Sequence, residues 1–317
     1  MWTKVIFLVL AGSLLINGFL AYKVSTENYK TQINVQENFP FLSKRIFVEN
    51  QNDVLINFIP LRANLKEYVE KQNGKVGAYF EYLPSGTSIG VNDKKEVQLA
   101  SLSKVPITMS IFKKIERKQM ALTDRIVIEK KYLDPGFGAL WKRGEGASLT
   151  LQELIQLSLA ESDNTAYNTL LGRLTGPEIT EVYRNLDIPI TISPKEENQY
   201  LHVSPKNYSS IFRSLYLSSF LQEENSNHIL NILTQTPFND KIVAGVPAAI
   251  KIAHKIAVFE DVDTSKNVFI DCGIVYIPNR PYVLCAFVLD TNDEAQKHIS
   301  HISKMIYDYV SHVEGED

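Results

Sequence analysis

The 317-residue sequence predicts a mixed α/β fold of the α+β type. One antiparallel sheet takes strands from both ends of the domain, the first and last helices flank it, and the middle of the chain forms a separate helical lobe. Three observations carry this. Residues 75–92 alternate around Val76, Ala78, Phe80 and Tyr82 and turn at PSG; residues 249–290 hold three further strand-like runs; and the stretch between, 102–235, is mostly helical in pattern. Strands at both ends with helices between them fit neither a repeat array nor a sandwich.

The domain opens on LRANLKEYVEKQ, where Leu61, Leu65 and Val69 recur at helical spacing until NG at 73–74 stops the helix. The strand–turn–strand of 75–92 follows. Within the helical middle, Thr150 and Glu153 form a capping box ahead of Leu154, Ile155, Leu157 and Leu159. AIKIAHKIAVF (249–259), NVFIDCGIVYI (267–277) and YVLCAFVLD (282–290) supply the late strands, and a last helix over 292–312 closes the domain. A cleft between sheet and helical lobe is the place to look for chemistry.

Before the domain, residues 5–22 form an 18-residue run without charge between Lys4 and Lys23, long enough to cross a bilayer as a helix. Phe19 and Lys23 stand where a small residue would precede a cut after Ala21 or Ser25, so a retained anchor is favoured over a cleaved signal. The expected organisation is an anchor over 1–24, a polar stalk over 25–60 and the folded domain over 61–317, on the extracytoplasmic face of the cell membrane. The run contains no cysteine, so a lipid anchor has no acceptor there.

With 33 basic and 36 acidic residues the net charge is -3 and no basic cluster forms, which argues against nucleic acid as a partner. Cys272 and Cys285 lie on the two arms of the hairpin around IPNRPY. In an oxidising compartment they could pair, but two cysteines in a chain of this size make no framework, and the favoured reading is two small buried hydrophobes. The six histidines show no zinc spacing, and His298 and His301 are expected to be solvated on the last helix. No metal or organic cofactor is implied.

Three short motifs carry the chemistry. In LASLSKVPITMSIF (99–112), Ser101 and Lys104 are three apart, hence one turn apart on one helix face. Near a helix N-terminus the serine oxygen sits close to free backbone N–H groups. A lysine among Val105, Ile107 and Met109 is partly desolvated, which lowers its pKa and lets it take a proton from a hydroxyl. Ser110 with Lys113 has the same spacing and is an ordinary coincidence. The second motif is ESDN, with Ser162 and Asn164 at the end of the capped helix; read alone, it is also a plain turn. The third is AHKIAVF, where Lys255 stands inside an apolar strand, either facing a cleft or guarding an edge.

Taken in order, Ser-x-x-Lys, Ser-Asp-Asn about sixty residues on and a strand lysine some ninety residues later resemble the penicillin-interacting serine enzymes, and the class A β-lactamases most closely. LASLSKVP, LTLQELIQLSLAESDNTAYNTLL (149–171) and GIVYIPNRPYVLCAFV (273–288) agree with it, and the likeness spans roughly 61–312. It implies Ser101 as nucleophile toward a β-lactam or D-Ala-D-Ala-type amide, Lys104 as its base, and the backbone N–H groups of Ser101 and Val258 as the oxyanion hole. Ser162 would pass a proton to the leaving nitrogen, Asn164 would bind the substrate's side-chain amide, and Lys255 would face its carboxylate. A monomer acting on a β-lactam or peptidoglycan peptide is expected, with the membrane as a second partner through the N-terminal run.

The departures are equally specific. The family's Lys-Thr-Gly or Lys-Ser-Gly is here Lys255-Ile256-Ala257, and Cys272 stands where many members carry an Arg that assists the carboxylate. Losing the hydroxyl removes a charged hydrogen bond worth about 1.5–3 kcal/mol. The loop that in the family supplies a deacylating Glu is short, SPKEENQYLH (193–202), with Glu197 as the candidate base and Glu196 competing. Without a placed base the protein would deacylate slowly, as a penicillin-binding or D,D-carboxypeptidase-like enzyme. A cell-wall binding module that keeps the fold without the chemistry is the reading from a different class.

Overall fold

The computed structural model describes residues 16–23, 40–42, 56–189, 191–192, 201–261 and 264–312. Helix α1 (Ile59–Glu70) buries Leu61, Leu65 and Val69 on one stripe, and Pro60 in its first turn sacrifices no intrahelical donor. Asn73 and Gly74, at φ 52° and 76°, end it in left-handed backbone.

The main sheet has the order β2 (Thr87–Val91), β1 (Val76–Tyr82), β10 (Tyr282–Leu289), β9 (Lys266–Val275), β8 (Ile252–Asp261), and every pairing is antiparallel. Early and late strands meet at β1 and β10, with Val76 opposite Val288 and Tyr82 opposite Tyr282. One face, including Phe80, Leu284 and Ala286, buries against α1 and α8 (Asn292–His312) through Ile299, Ile302 and Ile306. The opposite face, through Ile270, Ile274, Val283 and Phe287, shares its core with the helical lobe. That lobe comprises α2 (Lys104–Glu116), α3 (Leu151–Ala160), α4 (Asn164–Leu171), α5 (Gly176–Asn185), α6 (Pro205–Leu217) and α7 (Glu223–Leu233). The capping box forms as expected: Thr150 Oγ1 accepts from the Glu153 amide, and Glu153 accepts from the Thr150 amide at 2.7 Å.

Two short sheets complete the lobe. β3 (Val97–Gln98) pairs with β7 (Leu201–Val203), which pairs with β6 (Thr191–Ile192), and β4 (Arg125–Val127) pairs with β5 (Ser148–Thr150). The first of these leads the chain into the Ser101 segment, with the Leu99 amide bonded to the Leu201 carbonyl at 2.8 Å.

Register places Lys255, Cys272, Cys285 and Tyr79 in one row across four strands. Side chains directly opposite one another on antiparallel strands share a face, so this whole row looks toward the helical lobe. Cys272 and Cys285 form a disulfide, not the two separate apolar side chains favoured from sequence. Direct cross-strand opposition of the two cysteines is the reason, and sequence spacing alone does not report register.

His298 also differs from expectation. It is largely buried on α8, bonded to the Tyr68 hydroxyl at 2.7 Å and paired with Glu294, because α1 packs beside α8; His301 is exposed and stacks on the same tyrosine. The coincidental pair finds structural partners: the Ser110 hydroxyl donates to the Glu178 carbonyl, and Lys113 bonds Glu116 and the Phe220 carbonyl.

Most of the apolar N-terminal run lies outside the described residues. Residues 16–23 are helical, and among the described residues no helix is long and apolar enough to cross a membrane. Two points of the 25–60 segment are described, and both pack on the domain: Phe41 meets the Tyr276 ring at 5.2 Å, and Phe58 inserts between Phe80 and Tyr82.

The disulfide closes a loop of sequence separation 13. On chain-entropy grounds its loss removes about 3 kcal/mol. We expect the Cys272→Ala/Cys285→Ala double variant to unfold at correspondingly lower denaturant, and reductant to shift the parent toward it while leaving the variant unmoved.

Candidate active site

Ser101 sits in a tight 3-10 turn (Ala100–Ser103) that runs into α2 without a break, the Lys104 amide bonding the Ser101 carbonyl. Serine and lysine are therefore one turn apart on a continuous helical track. Ala100 enters the turn at φ 41°, a left-handed conformation costly for a residue with a Cβ, and packing of the turn against β8 holds it there. Pro106, the third residue of α2, has no N–H to offer the Leu102 carbonyl, which accepts from the buried Tyr208 hydroxyl at 2.8 Å instead.

Lys104 is 2% exposed. Its Nζ lies 2.9 Å from Ser101 Oγ, 2.8 Å from Asn164 Oδ1 and 3.4 Å from Ser162 Oγ, so its three donor positions point at three residues of the motifs. Burial lowers its pKa to about 8, and Asp163 and Asp134 act in the opposite direction. Nζ also stands 5.4 Å from the centre of the Tyr167 ring.

Ser162 and Asn164 reach this point because the chain turns sharply between α3 and α4. Ser162 takes φ 59°, and Asp163, buried, caps α4 by accepting from the Ala166 amide at 2.9 Å. The second Asp163 oxygen accepts from the Leu140 amide at 2.9 Å, and the Asn164 amide donates to the Phe137 carbonyl at 3.0 Å. Asp163 thus fastens the loop 134–141 to the ESDN turn. Gly138, at φ 88°, approaches Asp163 so closely that a Cβ would strike its backbone.

Lys255, on the edge strand β8, turns toward the same cleft and is 1% exposed. Desolvation, then the nearby Lys104 amine, push its pKa well below that of an ordinary lysine, and its Nζ has no hydrogen-bond partner. The edge-guard reading is thereby excluded, since a guarding lysine is solvated. Val258 lies three residues on along β8. Behind the strand, His254 Nδ1 meets Asp271 Oδ1 at 2.8 Å, and Asp271 Oδ2 accepts from the Ile242 amide at 3.1 Å.

Ser101, Lys104, Ser162 and Asn164 are thus brought together by hydrogen bonds, with Lys255 beside them. Glu197 and Glu196 lie outside the described residues. Sequence reading missed Asp163 as the fastener, although an Asp three residues before a helical amide is an N-cap signal; it also missed Tyr167, whose ring stands beside Lys104 and which carries no local signature. Among the described residues no group of His, Cys, Asp and Glu could hold a metal ion.

A buried amine held against a serine hydroxyl, between a helical lobe and an antiparallel sheet, defines a serine hydrolase of the penicillin-interacting kind. The sequence model of the beta-lactamase enzyme family matches residues 60–310, and the chain belongs to that family. It is 25% identical over 243 residues to a beta-lactamase of Bacteroides uniformis, covering 70% of this chain and 82% of the relative. A beta-lactamase of Phocaeicola vulgatus is 24% identical over 294 residues, covering 85% and 90%. Among solved structures, a mutant of PBP-A captured as its acyl-enzyme with penicillin G superposes with TM-score 0.71 at 25% identity, covering 80% of this chain and 96% of that one.

Asp163→Ala removes a helix cap and leaves the buried Leu140 amide without its acceptor. We expect a loss of about 2 kcal/mol or more in chemical denaturation, with Ser101→Ala near the parent in the same assay.

Proposed function

We propose that the protein forms an acyl-enzyme on Ser101 with a β-lactam or a D-Ala-D-Ala-type amide. The observation that carries this is the buried Lys104 amine at 2.9 Å from Ser101 Oγ, with its pKa brought down to about 8. At pH 7 roughly a tenth of such an amine is free to accept a proton.

The steps follow from the placement of atoms. Lys104 Nζ takes the Ser101 hydroxyl proton as Oγ attacks the carbonyl carbon. The oxyanion that develops is met by the backbone N–H groups of Ser101 and Val258, on a turn and a strand that pack together. Collapse breaks the bond to nitrogen, Ser162 donates its proton to that nitrogen, and Lys104, 3.4 Å from Ser162, returns the proton it holds. Asn164 releases Lys104 to receive the substrate's side-chain amide. Lys255 lines the far end of the site. The N-terminal run would hold the domain, as a monomer, at the extracytoplasmic face of the membrane.

Hydrolysis of the acyl-enzyme needs an activated water, and Glu197 is the candidate base. A second reading, slow deacylation in the manner of a penicillin-binding enzyme, draws support from the likeness to PBP-A, whose mutant was captured as an acyl-enzyme. Retention of the desolvated Lys104 beside Ser101 weighs against a binding module without chemistry.

Intact-mass measurement after incubation with penicillin tests the reading. A single adduct is expected, absent in Ser101→Ala; an adduct that survives that substitution would sink it. The adduct's lifetime, with turnover of a chromogenic cephalosporin, separates hydrolysis from slow release. Because the base must be unprotonated, acylation is expected to rise with pH up to about 8 and then level. Asp163 raises the Lys104 pKa, so Asp163→Asn, which keeps an acceptor oxygen, should move that rise to lower pH in stopped-flow acylation.

A further inference from the structure

The residue before Ser101 is bonded in a way that the acyl-transfer steps do not use. The Ala100 carbonyl accepts from the Ser103 hydroxyl at 2.6 Å, and Ser103 Oγ lies 3.0 Å from the Tyr167 hydroxyl. Ser103 has one hydroxyl proton and a carbonyl oxygen can only accept, so that proton is committed to Ala100. Tyr167 is then the donor to Ser103 Oγ. Burial raises the Tyr167 pKa, so the phenol keeps the proton it donates.

The chain from Tyr167 through Ser103 ends on the peptide that joins Ala100 to Ser101. This peptide is trans, so its N–H, which belongs to Ser101, points opposite to the Ala100 carbonyl in the same plane. Holding the carbonyl therefore aims the N–H. Hydrogen bonds in series also polarise one another, so donation to the carbonyl oxygen makes the N–H across the same amide a stronger donor. Ser101 N–H is one of the two groups proposed to meet the oxyanion.

Tyr167 is carried by the first turn of α4, which also presents Asn164 to Lys104; its amide donates to the Asp163 carbonyl at 3.1 Å. Its ring stands beside Lys104 Nζ at 5.4 Å, while its hydroxyl reaches the Ala100–Ser103 turn. Phenylalanine at this position would keep the first contact and lose the second.

We propose that Ser103 and Tyr167 are positioning residues for acyl transfer, their two hydroxyls orienting and polarising the Ala100–Ser101 peptide so that its N–H meets the oxyanion as Ser101 Oγ attacks. The inference rests on acylation of Ser101 as proposed above.

The test uses benzylpenicillin labelled with carbon-13 at its β-lactam carbonyl. Stopped flow gives the acylation rate across pH, and rapid-mixing infrared spectroscopy gives the ester carbonyl stretch of the adduct. In Ser103→Ala and in Tyr167→Phe, acylation at saturating penicillin is expected to slow about tenfold, short of the roughly 10²–10³-fold that outright loss of an oxyanion donor costs. The pH midpoint should stay at the parent's, because Lys104 and the ring beside it are kept. The ester stretch should rise in frequency, the sign of a weaker donor on its oxygen. The double variant should be no slower than Ser103→Ala, since the hydroxyls act in series, and Ser103→Thr, which keeps the hydroxyl, should restore both rate and frequency. An unchanged ester stretch in both single variants would overturn the inference and leave Ser101 acylation standing, as would a rate loss accompanied by a shifted pH midpoint. No adduct with the parent protein would remove the acylation reading and this one with it.

Discussion

Burying the Lys104 amine is the constraint on which the rest of the site depends. An ammonium group removed from water must find acceptors or lose its proton, and here it does some of each: three oxygens surround it, and its pKa falls to about 8. The acceptors come from two separate places in the chain, the Ala100–Ser103 turn and the ESDN turn. Each must be held in left-handed backbone, at Ala100 and Ser162, to bring its oxygen within reach. The strain is local, while the support is distant, coming from β8 against the first turn and from Asp163 in the second.

The sheet serves the site by rigidity more than by contact. Its antiparallel pairing joins the two ends of the domain at β1 and β10, and the Cys272–Cys285 bond ties β9 to β10 in the same row as Lys255. On the reverse face, Asp271 links β9 to β8 through His254 and to the preceding segment through the Ile242 amide. Edge strand β8 is thus paired along its whole length to a neighbour, β9, that is tied to β10 on one face and to His254 on the other.

Two buried lysines face one cleft and are used differently. Lys104 has oxygen partners and a pKa near the working range. Lys255 has none and lies beside an aromatic ring. Ile256, Ala257 and Cys272 stand where the family pattern has hydroxyl, glycine and, in many members, arginine, while Ser101, Lys104, Ser162 and Asn164 stay together by hydrogen bonds.

Much of this was legible in the sequence because it is local or periodic. Helix α1, the Thr150 capping box, the β1–β2 hairpin and the late strands follow from spacing and turn residues, and Ser101 with Lys104 follows from one helical turn. The order of three motifs was enough to suggest their convergence and the family. Tertiary structure alone decided the rest. Disulfide formation depended on which residues of β9 and β10 stand opposite, and the burial of His298 on how α1 lies beside α8. The burial of Lys255 depended on the register that turns its side of β8 toward the helical lobe. Periodicity reports which face of an element is apolar, but register and long-range packing set which groups meet across a cleft, and these are properties of the folded chain as a whole.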